Sequence, residues 1–197
     1  MRLAIIDSGG ANIASLRYAI ERLGVESDLT TDPARLRAAS HVILPGVGAA
    51  SDCMSRLEKA NLVDTIRTLQ QPLLGICVGM QLLFDSSEEG DVRCLGLLPG
   101  RVQRFADREG LPVPHMGWNQ LNLSRPSPLF NDIENGDYVY FVHSYAAPLG
   151  SHSIASSEYG VPFTAVVQRG NVYGAQFHPE RSARIGSLLL RNFLRLS

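Results

Sequence analysis

The stretch LLGICVGMQLL, residues 73–83, consists of an apolar run, a cysteine between two glycines, and a second apolar run. The first run can form a buried strand and the second a helix, so a sharp turn is expected between them. Gly75 and Gly79 flank Cys77 in a G-x-C-x-G pattern, the thiol counterpart of the turn that presents a nucleophile between a strand and a helix. The alternative is a tight turn that buries a small residue, and the pentapeptide alone favours that alternative.

Similar apolar runs precede this stretch and alternate with helical patterns. LAIID (3–7), HVILPG (41–46) and PLLGI (72–76) read as buried strands, whereas residues 11–24 and 62–70 carry apolar side chains at helical spacing. Asp32-Pro33 marks another helix start. Continuous apolar strands separated by helices indicate a parallel sheet covered on both faces. The sequence therefore predicts an α/β fold with three α/β/α layers and a mostly parallel central sheet.

The later part of the chain has a different character. YVYFVHSY (138–145) reads as a strand, and FTAVVQ and VYGAQFH read as a hairpin around RGN (169–171). Residues 182–196 form an amphipathic helical pattern. These features predict an antiparallel extension of the sheet and a final helix. Because there is no internal repeat or linker pattern, residues 1–197 are expected to form one domain.

Composition excludes several classes of protein. The chain has 45% hydrophobic residues, 19% charged residues and a formal net charge of -1, so bulk charge predicts no nucleic-acid or anionic-membrane partner. Three cysteines without C-x-x-C spacing indicate free thiols in a reducing compartment. The opening MRLAIIDSGG is too short in apolar residues for a signal peptide, and no run approaches the roughly 18 apolar residues of a membrane span. We expect a cytoplasmic protein without a membrane segment.

A nucleophilic cysteine needs a base, and His178 in GAQFHPE is the candidate. Pro179 disfavours helical geometry at His178, and in an extended segment Glu180 projects to the same side as His178. Glu180 can then orient the imidazole and stabilise its charge, which is the third role in a catalytic triad. The alternative is an ordinary surface turn after a strand. Together with the G-x-C-x-G turn, the pattern favours a Cys77–His178–Glu180 triad and an ordinary surface turn about equally.

Two backbone segments are candidates for an oxyanion hole. The Val78 N–H follows Cys77 directly, and the Gly-rich ILPGVGAA (43–50) can bring the N–H of Val47 or Gly48 to the same sheet edge. A plain turn is the alternative for ILPGVGAA. A phosphate loop is disfavoured because no lysine follows as it does in that motif. Cys77, His143 and His178 lack metal-ligand spacing, so no metal site is expected.

These motifs resemble those of the class I, triad-type glutamine amidotransferases. PGVG, GICVGMQLL and QFHPE occur in that order, and IIDSGGANIASL, PHMGWNQL and YFVHSYA are similar to the branch that supplies the glutaminase subunits of imidazole glycerol phosphate synthase. The match extends from residue 3 to the final helix. The resemblance implies a flavodoxin-like fold, no cofactor, and hydrolysis of glutamine through a glutamyl thioester on Cys77. Val78 stands where the family often has leucine, which matters little because the backbone N–H acts.

The resemblance also implies the remaining site residues and a partner. Glutamine would be held at its α-amino and α-carboxylate end by Gln81 and Glu89, with Ser144 and Tyr145 lining the same pocket; Glu88 is an alternative to Glu89. Ammonia would pass to a (β/α)8-barrel cyclase that forms imidazole glycerol phosphate and AICAR. The chain shows no acceptor site of its own, and free ammonia protonates in water, so a partner covering this edge is expected on chemical grounds. The candidates for the partner interface and the ammonia exit are Asn12, Trp118, Asn119 and Tyr140. Glutaminase activity is expected to rise when the partner binds its substrate.

Two other functions remain open at this point. One is a different Cys–His–Glu hydrolase of the same fold, such as a γ-glutamyl hydrolase or a peptidase. The other is an amidotransferase-like binding subunit without activity, which an intact Cys77, His178 and Glu180 disfavours. Cys53 and Cys94 have no role in any of these readings and are expected to be inert thiols.

Overall fold

The computed structural model describes residues 2–9 and 13–196. Its strands, in chain order, are β1 (Leu3–Ile6), β2 (Ser27–Thr30), β3 (His41–Gly46), β4 (Leu73–Cys77), β5 (Ser86–Ser87), β6 (Val92–Arg93), β7 (Arg101–Arg104), β8 (His115–Gln120), β9 (Asn122–Leu123), β10 (Tyr138–His143), β11 (Tyr145–Ala146), β12 (Ser153–Glu158), β13 (Pro162–Arg169) and β14 (Val172–Ala175). Its helices are α1 (Ile13–Glu21), α2 (Pro33–Ala38), α3 (Ala50–Lys59), α4 (Val63–Arg67), α5 (Val78–Gln81) and α6 (Ala183–Phe193). Two 3-10 turns span Pro128–Phe130 and Pro179–Arg181.

The main sheet has eight strands in the order β2-β1-β3-β4-β14-β13-β12-β9. The first five are parallel to one another, in the strand order of flavodoxin-like folds. Every residue of β1, β3, β4 and β14 is buried, as expected for parallel strands covered on both faces. The predicted fold class is therefore confirmed. The carboxyl ends of β3 and β4 lie side by side, with Gly46 opposite Cys77.

The antiparallel extension is larger than the sequence pattern indicates. β13 and β14 form the predicted hairpin, and β12 and β9 continue the main sheet antiparallel to it. β8 and β10 form a separate antiparallel pair. β11, β7, β5 and β6 form a small third sheet of very short strands. Strand β10 comes close to the carboxyl end of β4, where Cys77 Sγ lies 3.9 Å from the Val142 carbonyl oxygen.

The helices differ from the sequence pattern mainly in length. Asp32 caps α2 by accepting a hydrogen bond from the Ala34 N–H at 2.8 Å, with Pro33 as the first helical residue, as the sequence predicts. α4 covers only part of the helical pattern over residues 62–70, and α5 is a single turn. α6 buries an apolar face, including Ile185, Leu189 and Phe193, against the sheet side of the molecule.

One continuous set of buried apolar residues extends from Leu3 to Leu194. It includes side chains from the parallel sheet, from the antiparallel extension and from α6, so these parts share a core. None of the helices in the described ranges combines the length and the apolarity that crossing a membrane requires.

Candidate active site

Cys77 lies at the sharp turn between β4 and α5, in a conformation that few residues other than glycine adopt. Its φ is 54° and its ψ is -115°, and such strain costs on the order of 1–3 kcal/mol. The flanking glycines permit the close packing of this turn, because a Cβ on Gly75 would lie 2.7 Å from the Gly79 carbonyl oxygen and one on Gly79 would overlap the Leu44 carbonyl oxygen. The turn therefore packs against β3 and holds the thiol at the carboxyl edge of the sheet.

His178 and Glu180 form a buried pair beside this turn. His178 Nδ1 lies 2.8 Å from Glu180 Oε1, and both side chains are almost completely buried. His178 is extended, with φ -95° and ψ 98°, but Pro179–Arg181 is a 3-10 turn and not a continuation of the strand. The contact between residues two positions apart thus comes from a turn. The alternation of side chains along an extended segment, which the sequence prediction used, is not the cause of this contact.

The surroundings of His178 favour its charged form. Burial disfavours the charge, but the side-chain hydrogen bonds to Cys77 and Glu180, together with the negative charge of these groups, outweigh burial and raise the pKa of His178 to about 10. A charged imidazole in contact with a cysteine stabilises the thiolate, which is the nucleophilic form.

Backbone N–H groups adjoin Cys77 on two sides. Val78 begins α5 directly after Cys77, and Val47 and Gly48 follow the end of β3, next to Cys77 in the sheet register. In the part of the chain that the structure describes, no residue accepts a hydrogen bond from the Val47 or Gly48 N–H. Because α5 is one turn long, its dipole contributes less than that of a longer helix would. Individual N–H groups are therefore the main source of positive potential in the backbone here.

The predicted residues converge on one cavity of about 520 Å³, a volume within the range of small-molecule sites. Its lining includes the following residues from the sequence prediction: Val47, Gly48, Cys77, Val78, Gln81, Glu89, Ser144, Tyr145 and His178. Glu180 lies behind His178 and lines a separate, much smaller cavity with Ile13 and Leu16.

Gln81 lies in the cavity wall with its amide group fixed. Its Nε2 donates to the Tyr145 carbonyl oxygen at 2.7 Å and to Gln176 Oε1 at 3.1 Å. Its Oε1 is buried and has no hydrogen-bond partner among the described residues. A buried acceptor without a donor costs about 1–3 kcal/mol, so this oxygen has hydrogen-bonding capacity that no described residue uses.

Of the two adjacent glutamates, Glu89 is the one that faces the cavity. Its Oε2 accepts a hydrogen bond from the Ala50 N–H at 2.8 Å. Burial raises the pKa of the Glu89 carboxyl, the Ala50 hydrogen bond opposes this, and the charge of Asp52 adds to it. Glu88 instead accepts from the Arg104 N–H at 2.8 Å and does not line the cavity. The geometry thus favours Glu89 over Glu88 as the carboxylate that contacts a molecule bound in the cavity.

The candidate interface residues have different surroundings. Trp118 is 51% exposed, and its ring meets that of Tyr140 edge-on at 6.0 Å. Asn119 directs its amide inward, where Nδ2 donates to the Glu158 carbonyl oxygen at 2.8 Å and lies 3.3 Å from His115 Nε2. Asn12 lies outside the described residues. Of the three that are described, Trp118 has the largest free apolar surface.

Sequence reasoning left unassigned four residues that line the cavity, Pro114, Val142, His143 and Arg181, and also Gln176 beside it. Gln176 lies beside Cys77, with its Nε2 4.0 Å from Cys77 Sγ. Gln176 precedes His178 by two residues in a segment that the sequence predicts to be extended, so its side chain could have been predicted to lie on the same side as His178. His143 and Arg181 both line the cavity, and the Arg181 guanidinium lies 5.7 Å from the centre of the Tyr140 ring. No group of three His, Cys, Asp or Glu residues in the described chain is arranged to hold a metal ion.

Comparison with known proteins gives a consistent family. The family model for class-I glutamine amidotransferases matches residues 4–196. The chain is 55% identical over 194 residues to the imidazole glycerol phosphate synthase subunit HisH of Xylella fastidiosa, covering 98% of this chain and 97% of that protein. It is 56% identical over 195 residues to the protein of the same name from Xanthomonas axonopodis pv. citri, covering 99% and 98%.

Solved structures agree on the fold at much lower identity. A glutamine amidotransferase from Thermotoga maritima superposes with a TM-score of 0.70 at 18% identity, covering 98% of this chain and 96% of that one. PurLQS from the same organism superposes with a TM-score of 0.73 at 21% identity, covering 98% and 97%. At these identities the likeness supports the fold alone.

Proposed function

The chain belongs to the class I glutamine amidotransferase family, and from that membership we propose that it is the glutaminase subunit of an imidazole glycerol phosphate synthase in histidine biosynthesis. In this proposal it hydrolyses glutamine to glutamate and ammonia, and a (β/α)8-barrel cyclase uses the ammonia to form imidazole glycerol phosphate and AICAR. The observation that carries the proposal is the strained Cys77 turn in contact with the buried His178–Glu180 pair, at a cavity of small-molecule size.

The geometry supports a thioester mechanism. The Cys77 thiolate attacks the side-chain amide carbon of glutamine, and the charged His178 donates its proton to the departing ammonia. Water then attacks the glutamyl thioester with His178 as base, which releases glutamate and restores the Cys77 thiolate and the charged His178. Glu180 keeps the imidazole oriented and stabilises its charge in both steps. Both tetrahedral intermediates carry an oxyanion, and the N–H groups of Val78 and of Val47 or Gly48 are its proposed donors.

The cavity wall supports recognition of the amino-acid end of glutamine. The Gln81 Oε1 acceptor and the Glu89 carboxylate can both receive hydrogen bonds from an α-ammonium group. Ser144 and Tyr145 line the same cavity, and the Arg181 guanidinium offers a partner for an α-carboxylate. This arrangement would place the side-chain amide of glutamine towards Cys77.

An exposed apolar surface supports a protein partner near the site. Met116, Trp118 and Tyr138 on the β8–β10 pair are 62%, 51% and 52% exposed, and large exposed apolar groups of this kind mark interaction surfaces. We propose that the cyclase docks here, with Trp118 and Tyr140 in contact, and with Asn12 and Asn119 as further candidates. A cytoplasmic location is part of the same proposal and rests on the free cysteines.

Substitution of the nucleophile tests the reaction. In the complex with the cyclase subunit of the same organism, Cys77→Ala should lower glutamine-dependent synthesis by at least about 10⁴-fold, while synthesis from added ammonium salt continues. Cys94→Ala is the matched control, since Cys94 is buried away from the cavity. Glutamine use at the wild-type rate by the Cys77→Ala complex would contradict the mechanism. Cleavage of γ-glutamyl peptides without ammonia release from glutamine would instead support the hydrolase alternative.

Activation by the partner is a separate part of the proposal. Ammonia production from glutamine should be low for the isolated chain and should rise when the cyclase has bound its own substrate. Equal turnover with and without the liganded cyclase would contradict this part alone, and would leave the thioester mechanism intact.

A further inference from the structure

A chain of hydrogen bonds leads from the β8 strand to the Gln81 end of the cavity, and the mechanism above does not use it. Asn119 Nδ2 lies 3.3 Å from His115 Nε2, His115 Nδ1 lies 3.1 Å from His143 Nε2, and His143 Nδ1 lies 2.8 Å from the Tyr145 carbonyl oxygen. The same carbonyl oxygen accepts the Gln81 Nε2–H at 2.7 Å. We call Asn119, His115 and His143 the histidine chain.

The end of the histidine chain determines the direction of every bond in it. A carbonyl oxygen can only accept, so His143 Nδ1 must carry a hydrogen. In a neutral ring His143 Nε2 is then an acceptor, and His115 Nδ1 must donate to it. His115 Nε2 is in turn an acceptor, for which the Asn119 amide is a donor. Both histidines are therefore in the Nδ1–H form.

Burial keeps both rings neutral, as this pattern requires. Burial lowers the pKa of His115 to about 4 and that of His143 to about 3; for His143 the Tyr145 hydrogen bond opposes burial, and the charges of His115 and His178 add to it. A proton on His143 Nε2 would face the His115 Nδ1–H, and a proton on His115 Nε2 would face the Asn119 amide nitrogen, and neither of these groups is an acceptor.

The histidine chain bears on substrate binding through one shared acceptor. The Tyr145 carbonyl oxygen receives one hydrogen bond from His143 and one from Gln81, which uses both of its lone pairs. The second Gln81 N–H is held by Gln176 Oε1. The Gln81 amide is thereby prevented from turning over, and its Oε1 stays in the cavity wall, without a partner among the described residues.

We propose that His115 is a positioning residue: through His143 it fixes the Tyr145 carbonyl group, and hence the orientation of the Gln81 amide that receives the α-ammonium end of glutamine. The proposal rests on the proposed glutaminase function for its kinetic part. It also connects the site to β8, because Asn119 belongs to the same strand as the exposed Trp118.

An aromatic packing role is the competing explanation for His115. Its ring is stacked between Tyr159, with centroids 4.1 Å apart, and Phe141, with centroids 5.1 Å apart. Two substitutions separate the explanations. His115→Phe keeps the stacked ring and removes the donor, whereas His115→Asn loses the ring and can keep an N–H close to the Nδ1 position.

The kinetic test measures glutamine hydrolysis by the cyclase complex of each variant. We expect His115→Phe to raise KM for glutamine by about tenfold with kcat within about threefold of wild type, since one binding contact is misplaced. His115→Asn should restore most of the KM. His41→Phe is the matched control. His41 is also buried and hydrogen-bonded to a carbonyl oxygen, that of Leu196, but it lies at the start of β3, at the opposite end of the strand from the cavity. Normal KM in His115→Phe together with raised KM in His115→Asn would overturn the proposal in favour of packing.

A second measurement does not depend on activity or on the stability of a variant. Histidine ¹⁵N–¹H correlation spectra of the wild-type protein should show the Nδ1–H form for two of its imidazoles, assigned to His115 and His143. An Nε2–H form at either ring would overturn the proposal. If the wild-type complex hydrolyses no glutamine, the proposed function fails, and the spectra still decide whether the histidine chain exists.

Discussion

His178 and His143 line the same cavity and are buried to a similar extent, with 4% and 6% of their surface exposed, yet they are held in opposite protonation states. For His178, burial is outweighed by Cys77 and Glu180, and the pKa rises to about 10. For His143, burial acts with only a carbonyl group and another imidazole as hydrogen-bond partners, and the pKa falls to about 3.

This difference shows that burial alone does not decide the charge of a histidine. A negative partner compensates the loss of solvation, whereas a dipolar partner compensates only part of it. One cavity can therefore contain a charged histidine that donates a proton to the leaving group and a neutral histidine that only orients neighbouring hydrogen-bonding groups.

Among substitutions that change the surroundings of the two histidines, removing the negative partner of His178 should give the largest effect. Glu180→Gln keeps the shape of the side chain and removes its charge, so the pKa of His178 should fall and the imidazole should lose its orientation. We expect kcat for glutamine hydrolysis to fall by about 10²–10³-fold, with the base-side limb of the pH–rate profile moving to lower pH.

Asp107→Asn is a matched control for this substitution. Asp107 forms a surface ion pair with Arg104 at 3.0 Å and is 79% exposed, so the loss of one carboxylate charge there should leave kcat within about twofold of wild type. An unchanged kcat in Glu180→Gln would mean that the Cys77 contact alone maintains the charge of His178.

The two kinds of histidine should also give the stability of the protein opposite pH dependences. Unfolded histidines titrate near pH 6.5, whereas folded His115 and His143 resist protonation down to about pH 4 and 3, so the free energy of unfolding should decrease as the pH falls below 6.5. The raised pKa of His178 contributes stability that is complete below pH 6.5 and is lost as the pH rises towards 10.

Urea unfolding between pH 5 and 9 checks both slopes, above the range where most carboxylates titrate. His115→Phe should reduce the number of protons taken up on unfolding at pH 5–6 by about one. Glu180→Gln should flatten only the alkaline slope. An acid slope that is the same in wild type and His115→Phe would show that His115 is already charged in the folded protein.

The sequence could predict one side of this comparison because its parts are local. G-x-C-x-G at the end of an apolar strand specifies the Cys77 turn, and His178 and Glu180 are two residues apart, so their contact needs no knowledge of the sheet. The resemblance to a family added Gln81 and Glu89. These residues meet because parallel strands end at one edge.

The other side depends on strand register and could not be predicted in the same way. His115 and His143 are opposite each other only because β8 and β10 pair with the register His143↔His115. A slip of one residue would turn one of them to the opposite face. The exposed Trp118 and the inward Asn119 follow from the same register. No local sequence pattern specifies this register. The strands β5, β6 and β11 could not be predicted either, because two residues are too few to show a periodic pattern.

Substitution of the two other cysteines should have the smallest effect on activity. The three thiols differ in the charge of their neighbours, as the two histidines do. Burial raises the pKa of Cys94 to about 11, and burial also raises the pKa of Cys53, with the nearby Arg56 opposing it. Neither thiol has a charged imidazole in contact with it, whereas Cys77 is hydrogen-bonded to His178. Iodoacetamide should therefore modify Cys77 alone in the native protein, because the thiolate is the reacting form.

Mass spectrometry of the labelled peptides measures this selectivity, and urea-unfolded protein, in which all three cysteines should react, is its control. Cys53→Ala and Cys94→Ala should leave glutamine hydrolysis within about twofold of wild type. Glu180→Gln should slow the labelling of Cys77 and leave the other two thiols unreactive, since only His178 loses charge. Labelling of Cys94 at the rate of Cys77 would show that access, and not the paired histidine, governs the reactivity of these thiols.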